Sequence, residues 1–361
     1  MEKGFDIAII GGGMAGASLA AELAGFGSIV LLEAEAQPGY HTTGRSAAFW
    51  MESYGGPLIR PLTKASERYL REGGFLTPRG ALTIGGTASE AAMDAFVAQF
   101  SALGVRMERL DRKGLETMIP SLLPGWTLGA LEPSCCDIDV ATLHQHYLRR
   151  ARQGGVAVRA HAGVVAAECG ARGWRLGLAD GRSLMCGIAV NAAGAWADPV
   201  AEICGIAPLG IAPLRRTIAQ VRVDPPVSSS LPLVLDIEER FYFKPDAGRL
   251  WLSPQDETPS PPCDAAPEEL DVATAIERLE RVVDWRVDAV EHRWAGLRSF
   301  APDRLPVYGF DPRNPRFFWF AGQGGFGIQT APAAALLAAR LIRGEAGGAV
   351  DPAPYAPGRL A

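Results

Sequence analysis

The 361-residue sequence has no excess of basic residues, no metal-ligand spacing and no apolar run of membrane length. Lysine and arginine total 35 against 40 aspartate and glutamate, a net charge of −5. A polyanion finds no attractive field on such a surface, so no nucleic-acid partner is expected. The apolar stretches fall short of the roughly 18 to 20 residues that cross a bilayer. No basic leader precedes the first of them, at Phe5. A soluble, cytoplasmic protein without a membrane span is expected. The six cysteines (Cys135, Cys136, Cys169, Cys186, Cys204, Cys263) show no CxxC pair and no histidine cluster. That pattern disfavours any metal site or disulfide framework. They read as buried free thiols, with a strained Cys135-Cys136 redox disulfide as the alternative. None of the five histidines (His41, His144, His146, His161, His292) stands in a pattern that marks a catalytic base.

Glycine is plentiful, at 42 residues, and its first cluster is informative. The β-rich run Phe5 to Ile10 leads directly into Gly11-Gly12-Gly13-Met14-Ala15-Gly16, and Ala17 to Leu23 is strongly helix-forming. Gly11 permits a tight turn, Gly13 lets the backbone approach a pyrophosphate, and Gly16 lets the helix pack on the strand. The helix start, with Met14 and Ala15, then offers free N–H groups to phosphate. A second apolar run, Ser28 to Leu32, ends at Glu33, placed to accept ribose hydroxyls. A dinucleotide site is expected, and the pattern alone leaves FAD and NAD open.

Gly39-Tyr40-His41-Thr42-Thr43-Gly44-Arg45-Ser46-Ala47-Ala48 follows. Thr42, Thr43 and Ser46 have hydroxyls for phosphate, and Arg45 has charge. By residue type alone a polar surface loop fits equally well. The segment resembles the signature of the FAD-dependent D-amino-acid oxidase superfamily, most closely its D-arginine dehydrogenase branch. Further matching blocks run through the chain: Asp137 to Asp139, Val190 to Trp196, Pro213 to Arg216, Phe241 to Gly248, Trp294 to Phe300 and Gln323 to Thr330.

The resemblance implies an α/β fold in which a discontinuous Rossmann-type FAD domain (1–78, 140–206 and 300–361) carries an inserted mixed-sheet substrate domain (79–139 and 207–299). It implies non-covalent FAD, held additionally by Ala47, Val164, Ala193, Gly194, Trp196, Gly327, Ile328, Gln329 and Thr330. The glycine-rich block before the C-terminal helix would aim a positive helix end at the flavin. It implies a substrate carboxylate gripped by Arg298 and Arg216, with Tyr242 donating and Tyr54 closing over on a loop hinged at Gly55-Gly56. Arg298 lies in the apolar setting Trp294 to Leu297, where an unpaired guanidinium is costly. A structural salt bridge is the alternative there. Gln329 and the backbone near Gly325 would suit the substrate amine.

Two departures bear on specificity. D-arginine dehydrogenases carry a histidine after the Gly-Arg-Ser-Ala-Ala run and a glutamate facing the substrate guanidinium; here Phe49 and Ala81 stand in those places. Phe49, Trp50, Met51, Ala81, Leu233 and Leu235 would form an apolar side-chain pocket. The expected activity is oxidative deamination of D-amino acids with apolar side chains, by hydride transfer from Cα to flavin N5. A quinone, another acceptor or oxygen would take the electrons. Alternatives are oxidation of a secondary amine or a 2-hydroxy acid, or a redox-inert flavoprotein subunit.

Elsewhere, Ser183 to Val190, Ile218 to Val223 and Arg240 to Lys244 read as strands, and Ala333 to Arg343 as a helix. The proline-rich Glu257 to Pro262 reads as a linker. The tail from Asp351 reads as poorly ordered or draped on the surface.

Overall fold

In a computed structural model, residues 4–346 and 348–360 are described. The outermost residues of the expected spans, and Gly347, lie outside that set. A strand β1 (Gly4–Ile10), a helix α1 (Met14–Leu23) and a strand β2 (Ile29–Leu32) form the opening unit. Five parallel strands follow one another across the main sheet: Ala157–Arg159, β2, β1, Ser183–Asn191 and Asn314–Ala321. β2 and the later residues of β1 and of Asn314–Ala321 are continuous buried apolar runs, because both faces of the sheet are covered there. α1 packs on one face with helices Val140–Gln153 and Ala331–Arg343. Trp174, Leu176, Val200, Phe317 and Trp319 fill the other. Antiparallel strands Val164–Gly170, Gly173–Leu178 and Val307–Asp311 bring the sheet to eight.

Strand order reverses between β1 and Ser183–Asn191, the place where open α/β sheets form a ligand crevice. Gly11 and Ala192 lie at its mouth. Gly11 has φ +107°, and a Cβ there would come within 2.4 Å of the Ala192 carbonyl oxygen. At Gly16 a Cβ would lie 1.8 Å from the Gly11 carbonyl oxygen, so α1 could not approach the turn with any other residue.

A second sheet of nine strands is built on one long antiparallel ribbon, Ala212–Asp224 against Arg286–Phe300. The short sheet of Phe49–Trp50, Leu76–Pro78 and Cys136–Ile138 lies between the two cores. Side chains alternate across a strand. Trp50 therefore enters the core under α1, whereas Phe49 joins Met51, Ala81, Cys135, Leu233, Leu235 and Tyr242 in a separate cluster.

Several expectations need correction. The ribbon's pairing lengthens the expected Ile218 to Val223 strand to Ala212–Asp224, and the Arg240 to Lys244 strand is shifted to Tyr242–Asp246. The C-terminal helix begins at Ala331, with Pro332 in its first turn, where a missing N–H is harmless. The tail docks firmly. Tyr355 is buried against Tyr308 and its hydroxyl donates to the Leu58 carbonyl at 2.6 Å. In the proline-rich segment, Thr258–Pro259 pairs with the ribbon strand and Glu257 binds Arg216 and Arg304. All six cysteines are free thiols, Cys169 is exposed and Cys263 half-exposed.

Candidate functional site

One continuous cavity runs from the glycine turn to the ribbon. Gly11 to Ala15, Glu33, Thr42, Thr43, Arg45 to Ala47, Val164, Ala193, Gly194 and Trp196 line one end. Phe49, Tyr54, Arg216, Tyr242, Gly296 and Arg298 line the other, with Gly325, Gly327, Ile328 and Gln329 between. Gly16 sits behind the wall, against the Gly11 carbonyl.

The dinucleotide end is set by short-range chemistry. The Glu33 carboxylate accepts the Gly12 amide on Oε2 at 3.0 Å and the Glu35 amide on Oε1 at 2.9 Å. This ties the end of β2 to the glycine turn and leaves lone pairs for hydroxyls. The Met14 amide, one of the helix-start donors with no partner inside the helix, donates to Thr43 Oγ1 at 2.9 Å. The Thr43 proton is thereby free for a phosphate. Glycines without room for a Cβ, helix-start amides and an acid at the end of β2 make a donor set that fits a dinucleotide diphosphate and ribose.

Beneath the turn, Asp139 caps the helix Val140–Gln153 by accepting the Thr142 amide at 2.9 Å. The capped helix carries His144, whose Nε2–H donates to the Gly12 carbonyl at 2.9 Å. Burial holds His144 below the usual imidazole range, so the ring is neutral. Pattern reading missed this role because the histidine's partner lies 132 residues away. His41, also missed, lines the cavity between Glu35, at 3.0 Å, and the Trp196 ring, at 4.6 Å.

Two residues expected to serve phosphate are otherwise engaged. The Arg45 guanidinium pairs with Asp264 and donates to the carbonyls of Ala265, at 2.8 Å, and Ala295, at 3.2 Å. The Thr42 hydroxyl donates to the Leu297 carbonyl at 2.8 Å. In return Trp294 Nε1 donates to the Arg45 carbonyl at 2.8 Å. This segment stitches the dinucleotide end to the ribbon. Ser46 and Ala47 remain on the cavity wall.

The ribbon explains the two arginines at the far end. Leu214 pairs in register with Arg298, and Arg216 with Gly296. With a period of two, Arg216 and Arg298 share a face as diagonal neighbours, and Arg215 points to the other side. Arg215 accordingly pairs with Glu268 and with Asp271 at 2.9 Å. Arg216 is buried; its Nε donates to the Asp256 carbonyl at 2.8 Å, Nη2 reaches Glu257 at 3.3 Å, and Nη1 has no partner. Burial, reinforced by Arg298, pulls Arg216 below the usual guanidinium range. Arg298 makes no ion pair within the described residues. Burial opposes its charge, but the Tyr54 and Tyr242 oxygens beside it, with the Glu257 carboxylate, raise it above its ordinary value. Gly325 closes on the same spot: a Cβ there would lie 2.5 Å from the Tyr54 hydroxyl and 3.0 Å from Arg298 Nη1.

The apolar wall is thinner than expected. Phe49, Tyr54 and Tyr242 face the cavity, with Phe49 and Tyr54 ring centroids 5.0 Å apart. Met51, Ala81, Leu233 and Leu235 are buried behind Phe49 and Tyr242 and do not line it. Trp50 is farther off, its Nε1 donating to the Thr63 carbonyl at 3.0 Å. The Gln329 side chain is also unavailable to a substrate amine. Its Oε1 accepts the Met51 amide at 3.1 Å, and Nε2 donates to Thr63 Oγ1 at 3.0 Å and to the Tyr54 carbonyl at 3.2 Å. Thr330 is buried off the cavity, its hydroxyl donating to the Phe326 carbonyl at 2.9 Å. The described residues contain no group of three or more metal-ligating side chains, and no helix long and apolar enough to cross a membrane.

Residues 6–341 match the family described as FAD dependent oxidoreductase (DAO). Glycine oxidase of Pseudomonas aeruginosa is 32% identical over 176 residues, 47% of this chain and 45% of that protein. The chain spans about half the length of the curated relatives it matches, from 36% to 59%. Among solved structures, L-proline dehydrogenase from P. horikoshii superposes with a TM-score of 0.87 at 20% identity, covering 100% of this chain and 98% of that one. Glycine oxidase from Geobacillus kaustophilus gives 0.84 at 22% identity, covering 98% of each. The matched span takes in both the dinucleotide cradle and the ribbon with its two arginines, so the chain belongs to the FAD dependent oxidoreductase family, and FAD is its cofactor.

Proposed function

We propose that the protein oxidises a D-amino acid with an apolar side chain to its imino acid, which water hydrolyses to the 2-oxo acid and ammonia. The observation that carries this reading is Arg298. Its guanidinium opens into the cavity with no ion pair of its own among the described residues, beside the Tyr54 and Tyr242 hydroxyls. No carboxylate of the described residues pairs with it directly, and a ligand carboxylate matches the guanidinium fork. Arg216 Nη1 adds a second donor from the same face. Bound FAD supplies the two-electron acceptance. The protein's part is to hold the carboxylate on Arg298, Arg216 and the tyrosines and to bury the side chain against Phe49. The amine releases its proton to water, because no imidazole or carboxylate side chain lines the arginine end. A quinone, another carrier or oxygen reoxidises the flavin.

Specificity follows from charge. The register partner of Ala81, Glu132, is a carboxylate, but it is fully buried, hydrogen-bonded to the backbone of residues 52 and 53, and off the cavity wall. A cationic side chain therefore finds no partner. A second reading, oxidation of glycine or of a secondary amino acid such as proline, draws on the names of the relatives. Anaerobic mixing with D-Phe, D-Met, D-Leu, D-Pro, D-Arg, glycine and L-Pro tests both. The apolar D-amino acids should bleach the flavin fastest; fastest bleaching by glycine or a proline establishes the second reading, and by D-Arg overturns both. Admission of oxygen then separates oxidase from dehydrogenase.

A further inference from the structure

Glu132 is one of the few fully buried carboxylates in the molecule. It ends the strand Leu128–Glu132. Its Oε1 accepts the Glu52 amide at 2.7 Å and the Ser134 hydroxyl at 3.2 Å; its Oε2 accepts the Ser53 hydroxyl at 2.6 Å and the Ser53 amide at 3.3 Å. Three of these four donors belong to residues 52 and 53, immediately before Tyr54. From the opposite side, Gln329 holds the Met51 amide and the Tyr54 carbonyl. Glu52 is itself buried and paired with Arg60 at 2.9 Å and Lys64 at 3.4 Å. Residues 51–54 are thus gripped by two side chains drawn from segments far away in the chain. Directly after them, Gly55 and Gly56 adopt φ of +91° and +85°, a joint that a side chain would strain.

A surface loop ordinarily leaves its amides to water or to its own turns. Here two backbone amides, which can only donate, and two hydroxyls turned as donors converge on the two carboxylate oxygens. A glutamine at 132 would turn an NH2 toward one pair of them. We propose that Glu132 and Gln329 form a latch that fixes the Tyr54 hydroxyl beside Arg298, which makes Glu132 a positioning residue for carboxylate binding. This rests on the reading that Arg298 and Tyr54 receive the substrate carboxylate. The latch also accounts for the arrangement of the wall: Met51 and Ser53 face inward to their anchors, and Tyr54 alone of the segment reaches the cavity.

The test uses FAD-loaded protein carrying Glu132→Gln or the milder Ser53→Ala, each made in the wild-type and Tyr54→Phe backgrounds. Deuterium uptake by the peptide spanning residues 50–56 reads the latch without any ligand. Titration of the flavin absorbance with benzoate, a plain monocarboxylate, reads its consequence. The expected results are about tenfold faster exchange confined to that peptide, and benzoate binding weakened about tenfold in the wild-type background but under about twofold in Tyr54→Phe. Unchanged exchange overturns the latch, and equal weakening in both backgrounds overturns the positioning role. If wild-type protein fails to bind benzoate, the carboxylate reading is refuted, and the exchange rates alone decide the latch.

Discussion

Glu33 Oε2 accepts the Gly12 amide at 3.0 Å, which makes the acid that ends β2 part of the glycine turn itself. Glu33→Ala removes both an acceptor for the turn and the acceptor proposed for ribose hydroxyls. FAD should then bind about tenfold to a hundredfold more weakly, read from recovery of flavin fluorescence on dilution. Unaltered FAD affinity would mean that the carboxylate serves the turn alone.

Arg298→Ala should retain FAD and raise KM for the best substrate about a hundredfold or more, with Arg298→Lys intermediate. The guanidinium meets a carboxylate through two parallel donors, whereas an ammonium offers a point charge. Steady-state kinetics beside the bound-flavin spectrum check this. Kinetics identical to wild type would remove Arg298 from substrate binding.

His144 gives the fold a pH dependence of definite sign. Its folded pKa lies below the ordinary 6.5, because burial disfavours the charged ring. Below pH 6.5 the unfolded chain takes up a proton at this site and the folded chain does not. The stability it contributes is therefore present above 6.5 and lost as pH falls toward the folded value. Tm should drop between about pH 7.5 and pH 5.5, and His144→Gln should flatten that drop; a variant with the wild-type slope contradicts the assignment.

Arg45→Met should leave FAD affinity within about threefold while lowering Tm by several degrees, because the guanidinium joins Asp264 and two carbonyls instead of a phosphate. Calorimetry beside FAD titration separates the two. A large loss of FAD affinity would return Arg45 to the phosphate.

These cases mark what can be read from sequence and what cannot. The glycine turn, α1 and Glu33 are legible because their chemistry is local: a strand, a turn that excludes Cβ, and a helix start within 33 residues. The preference for Arg216 over Arg215 agrees with strand alternation, once Leu214 is seen opposite Arg298. Gln329, Arg45 and Tyr355 were illegible for the converse reason. Their partners lie 266, 219 and 297 residues away, and nothing in their own neighbourhoods announces them. Phe49 and Trp50 show a third limit. Neighbours on one strand face opposite cores, so a pocket inferred from a run of apolar residues counts both faces when only one is present.

The ribbon that seats Arg216 and Arg298 has an evolutionary corollary. Both arginines ride on one pair of strands joined along thirteen register positions, so the two guanidiniums proposed to hold a carboxylate keep their spacing as a block. Tyr54 on its tethered segment and Tyr242 on another strand complete that proposed grip, whereas Phe49, the residue proposed to meet the side chain, stands on a short strand of its own. Phe49 can be exchanged without removing a member of that proposed grip. Under the proposed reading, new substrate preferences should arise by replacement at Phe49 and its surroundings, with the two arginines left in place.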